Sequence, residues 1–176
     1  MTLEAFADTI VPGERRSPDD RAVAGAAEGP GAVAAGAVEL LRTPATGIHT
    51  DLPVLADMLN EHARAYADQH GLTLDPGVPA FVALAFEDRT ALVRSLVAPG
   101  HPEKDAWVLL ALFSNMAFDT AAHMHTRDAL AEGHPGLLAM GLMEPSPDGL
   151  WRFPAYSYGR RLADVHPDTT PSGSPR

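Results

Sequence analysis

The 176 residues carry a formal charge of −10. That surface repels phosphate backbones and sets nucleic acid aside as a partner. The absence of cysteine excludes disulfides, thiolate zinc sites and a thiol nucleophile. Apolar residues reach 45% with only 6% aromatic, which excludes wholesale disorder and favours helices over strands. One all-α domain is expected, with residues 1–143 as the helical part and 144–176 as an irregular arm of that same domain.

Leu3, Phe6 and Ile10 recur at helical spacing, and Pro12-Gly13 ends that first helix. Glu4 and Asp8 interrupt its apolar residues, so no secretory h-region is present. Arg15-Arg16 is followed by Ser-Pro-Asp-Asp and not by the apolar stretch that a twin-arginine signal requires. No run of 18 apolar residues could span a membrane. A cytoplasmic protein is expected, leaving only with a partner.

Glu14 to Gly29 reads as a polar loop. A second helix is predicted from Pro30 to Leu41, burying Val33, Ala37, Leu40 and Leu41. After a loop around Pro44 and Gly47, Asp51 is placed to cap a third helix that Gly71 ends. Its apolar stripe is Leu55, Leu59, Ala63 and Tyr66, and His62 falls on the same side. Pro76 to Pro79 is a turn, and Phe81 to Phe86 is ambiguous. Asp88 is the expected cap of a helix from Arg89 to Val97.

A long central helix is predicted from about Glu103 to His125. Short helical segments follow at Arg127 to Glu132 and Pro135 to Met143.

The central helix carries the first candidate site. At 100° per residue, Asn115, Asp119 and His123 stand 40° apart in one ladder, while His125 falls on nearly the opposite face. Functionally, Asp119 would hold His123 in one tautomer as an acid/base pair, with Asn115 or His62 polarising a hydrophobic carbonyl substrate. Structurally, these groups would simply satisfy one another, as buried polar groups in helical domains generally do. On the structural reading, Asp119→Ala costs about 1–3 kcal/mol through an unpaired partner.

His62 alone on an apolar stripe fits a core histidine with one hydrogen bond. A mononuclear metal needs about three convergent ligands. With no HExxH or ExxH motif to supply them, no metal is expected in this chain. There is no GxSxG, no SxxK and no phosphate-cradling glycine loop.

The second candidate is the arm. Trp151, Phe153, Tyr156, Tyr158 and Arg160 are of the types that dominate binding hot spots. They offer a partner-binding strip, although Trp151 and Phe153 could equally close the end of a helix bundle.

"TLEAFADTIVPG" (2 to 13), followed by a polar loop and a small-residue helix, resembles the start of the gluconate 2-dehydrogenase small-subunit family (subunit 3). "FVALAFEDRTALVRSL" (81 to 96) is similar to a second stretch of that family. "LLALFSNMAFDTAAH" and an aromatic-glycine segment, here Trp151 to Gly159, recur in the same order. The resemblance implies a helical accessory subunit of a glucose–methanol–choline-type flavoprotein oxidoreductase. The partner subunit would hold FAD and do the chemistry, while this chain supports its folding, stability or export. A stand-alone helical enzyme built on Asp119 and His123 is the alternative.

Overall fold

A computed structural model describes residues 1–142 and 167–168. The chain forms two units, Met1–Leu142 and Met143–Arg176. In the second, only a turn at Pro167 and Asp168 is described. The first unit is built from α-helices, with no strand among the described residues. The all-α expectation is met.

The helices are α1 (Thr2–Ile10), α2 (Ala37–Arg42), α3 (Leu52–His70), α4 (Ala80–Ala83), α5 (Phe86–Leu96), α6 (Lys104–Thr120), α7 (Thr126–Ala131) and α8 (Pro135–Ala139). A single 3₁₀ turn at Pro44–Thr46 follows α2. Helix α6 is the centre, packing against α1, α2, α5 and α8. Phe6 of α1 and Trp107 of α6, both fully buried, stand 6.3 Å apart between ring centroids, and Phe81 of α4 lies 6.5 Å from Phe6. Around these rings pack Leu41, Leu59, Leu96 and Leu110. Burying each of the two phenylalanines contributes roughly 1.5–3 kcal/mol.

Four sequence expectations need correction. The predicted second helix survives only as Ala37–Arg42, because Gly36 adopts φ 81°, in the left-handed region where helix propagation stops. Helix α5 starts at Phe86, so Asp88 lies in its first turn, where it accepts the Tyr66 hydroxyl at 3.2 Å. Asp51 occupies the N-cap position of α3 without a side-chain capping bond. Helix α6 ends at Thr120, since Ala121 turns left-handed at φ 48°. Gly71 ends α3 in the left-handed conformation, as predicted.

The polar segment 14–29 is a loop with an organised interior. Asp8, at the end of α1, accepts backbone N–H groups from Gly13 at 3.2 Å and Ala24 at 2.8 Å. Burial pushes its carboxyl upward, and these two bonds oppose that shift. Arg89 of α5, only 4% exposed, reaches across to the same loop. Its guanidinium donates to the carbonyls of Ala22 (2.8 Å), Arg21 (3.3 Å), Val82 (2.6 Å) and Leu84 (3.1 Å). A planar fork with several donors suits that arrangement where an ammonium does not.

Beside this loop, Gly13 and Gly31 cross so closely that a Cβ on either would strike the other's backbone. The crossing is fixed by the Glu14 N–H on Gly29 O (2.8 Å) and the Ala32 N–H on Val11 O (2.9 Å).

Candidate functional site

The polar side chains singled out in the sequence are divided between the two ends of α6. At its start, His62 of α3 meets Glu103, with Nε2 2.7 Å from Oε2. Trp107 donates its indole N–H to the same oxygen at 3.0 Å. The His101 ring lies 5.8 Å from that of His62, and its Nδ1 accepts the Glu103 backbone N–H at 3.2 Å. The hydrogen bond from His62, reinforced by Trp107, holds the Glu103 carboxyl below the usual carboxylate range against a burial penalty. His62, His101 and Glu103 are all half-buried. His62 is therefore an edge residue with a carboxylate partner, not a core histidine on the apolar stripe.

At the other end, Asn115 donates to Asp119 at 2.7 Å, one helical turn apart. The predicted ladder stops there. Because α6 ends at Thr120, His123 is on the following turn, and helical angles no longer place it. His123 instead packs over Gly36, where an added Cβ would lie 2.5 Å from its Nε2. Its ring is 5.8 Å from that of His134. His134 is buried, accepts the Leu137 N–H through Nδ1 (3.3 Å) and meets Ala35 O through Nε2 (3.0 Å). That pair of bonds assigns the Nε2–H tautomer.

Burial pushes the His123 pKa down, as does His134, while Glu39 opposes them. Two buried atoms here, Asp119 Oδ1 and His123 Nδ1, have no hydrogen-bond partner among the described residues.

Glu103 and Asp119 are sixteen residues apart along one helix, about 24 Å at 1.5 Å per residue. His62 therefore cannot share a substrate with Asp119 and His123. A constellation uniting the three is corrected by this separation. His125 also stands apart: its Nδ1 caps α7 by accepting the Arg127 N–H at 3.3 Å.

A cleft of about 540 Å³ lies elsewhere on the same unit. It lies between the starts of α1 and α3 and helix α2. Leu3, Val33 and Val38 line it together with Glu4, Arg16 and Arg42. Glu4 and Arg16 are already paired at 2.9 Å. The partner-binding residues expected in the arm, Trp151, Phe153, Tyr156, Tyr158 and Arg160, lie outside the described residues.

Compared with known proteins, the entire length, residues 1–176, matches a family of unknown function, DUF5987. The chain belongs to that family. No curated protein and no solved structure matches it. Within this DUF5987 member, no described helix is long and apolar enough to cross a membrane.

Two features escaped sequence reasoning. His101 and Glu103 sit in a Gly-Pro break with no metal-ligand motif, and only the four-residue step from Glu103 to Trp107 hinted at a pair. Asp8 and Arg89 drew no structural role from the sequence because their partners are backbone groups, which no residue pattern marks.

Proposed function

We propose that this chain is an accessory subunit of a flavin-dependent oxidoreductase of the glucose–methanol–choline type, supporting its partner without performing the redox chemistry itself. One observation carries the reading. The two stretches that resemble the gluconate 2-dehydrogenase small subunit, residues 2–13 and 81–96, are fastened to the same loop. Asp8 holds it from the first stretch through Ala24, and Arg89 holds it from the second through Arg21 and Ala22. Residues far apart in sequence thus need each other for a single structural reason, as expected if the resemblance reflects a shared scaffold.

The chemistry available inside the described unit agrees with a supporting role. Its most buried charged groups, Asp8 and Arg89, bond to backbone groups. On this reading FAD belongs to the partner. The strip Trp151, Phe153, Tyr156, Tyr158 and Arg160 supplies aromatic and cationic anchors for it.

The test is co-expression of the full chain with a flavoprotein encoded beside it. A several-fold rise in soluble, flavin-loaded enzyme supports the role, and Trp151→Ala with Tyr156→Ala should remove most of that rise. Equal yield of active flavoprotein without this chain overturns it.

A second reading rests on the unpartnered atoms Asp119 Oδ1 and His123 Nδ1. Buried polar atoms left unsatisfied in a folded protein invite a ligand or water. An acid/base pair of Asp119 and His123 would need no help from His62. Its mark would be turnover of a hydrophobic carbonyl compound by the purified chain that His123→Gln abolishes. Turnover unchanged by that substitution rules the pair out.

A further inference from the structure

We infer that His62, His101 and Glu103 form a binding site for one first-row divalent cation of the zinc type. One donor atom from each lies within 4.8 Å of the other two. Ligands at about 2.1 Å around a tetrahedral ion sit about 3.4 Å apart. The His62–Glu103 contact, now 2.7 Å, would therefore open by less than about 1 Å as the ion replaces the shared proton. Two imidazoles and one carboxylate make a borderline donor set suited to zinc and its neighbours, and not to calcium or magnesium.

Three further features fit an ion. The donors come from two separate elements: α3 supplies His62, and the segment entering α6 supplies His101 and Glu103. A cation would tie these together at the point where the His62–Glu103 hydrogen bond and the His62–His101 ring contact already bring them close. Trp107 already supports the carboxylate through its indole N–H, the outer-shell role that orients a metal-bound carboxylate. All three ligand residues are also half-buried, which leaves coordination positions open to water or a substrate.

His101 must give up its bond to the Glu103 N–H or present its other nitrogen. At 3.2 Å that bond is a weak competitor. The site stands apart from the accessory role and does not depend on it.

Titration of the full-length chain with Zn²⁺ alone, followed by calorimetry, tests the inference. One equivalent should bind with release of protons, and His101→Gln should weaken binding about tenfold or more. His101 lies on the surface segment before α6, so this substitution leaves the core intact. Glu103→Gln should act likewise. If it fails to fold, His101→Gln decides alone.

In a Trp151→Phe background, Co²⁺ should quench the remaining tryptophan, Trp107, in step with binding. The chain has eight histidines. Zn²⁺ binding of unchanged affinity in His101→Gln places the ion elsewhere and overturns the proposal. So does the absence of binding at millimolar Zn²⁺.

Discussion

His123 occupies the space that a side chain on Gly36 would need. With φ at 81°, Gly36 both stops the turn that precedes α2 and opens a seat for the imidazole, 2.5 Å from where its Cβ would be. Gly36→Ala should thus pay twice, about 1–2 kcal/mol for the left-handed backbone and a similar amount for displacing the ring. In a His123→Ala background only the backbone part should remain. Denaturant unfolding of the double-mutant cycle should show coupling of about 1 kcal/mol or more. Additive losses would mean the ring moves aside freely.

The same histidine makes stability depend on pH. Burial and His134 lower its folded pKa below the unfolded value, with Glu39 opposing. Between those two values the unfolded chain binds more protons. Stability therefore falls as pH drops from about 6.5 toward the lower folded pKa, and is unaffected above that window. Thermal unfolding from pH 7.5 to 5 should show a shallower decline in His123→Gln than in the parent. Parallel curves would remove His123 as a source of the acid sensitivity.

Arg89 should be among the least replaceable side chains of the described unit. Arg89→Lys keeps the charge but cannot serve four carbonyls from a planar fork, and Arg89→Ala leaves all four without it. A cost of roughly 3–5 kcal/mol is expected for alanine, with lysine in between. Hydrogen exchange should find the loss concentrated in residues 13–31, the segment Arg89 and Asp8 secure. Uniform loss across α3 and α6 would show the effect to be global.

Asp119→Ala should cost less than about 1 kcal/mol, below the 1–3 kcal/mol the sequence suggested. Its partner Asn115 is exposed and can turn to water, while the other carboxylate oxygen is buried with no partner among the described residues. Urea unfolding checks this directly. A loss above 2 kcal/mol would reveal a partner for Oδ1, such as a bound water.

The limits of sequence reading follow from the kind of signal each feature leaves. Helices α1 and α3 were legible because their apolar residues repeat every three or four positions and Pro12 and Gly71 punctuate them. The second helix was overextended because alanines at 32, 34, 35 and 37 carry no record of the left-handed Gly36. Helix α6 was drawn too long since Ala121, a strong helix former, is the residue that breaks it. The ladder Asn115–Asp119 survived, being a local one-turn step, but its extension to His123 assumed a helix that had already ended. The His62–His101–Glu103 cluster depends on how α3 meets the entry to α6, a tertiary relation with no linear period.

The accessory role is tested most directly by purifying the tagged full chain from its native cells and analysing what elutes with it. A flavoprotein oxidoreductase in stoichiometric amount, releasing FAD on denaturation, is the expected result. Elution of the chain alone, or with a partner free of flavin, would contradict the account.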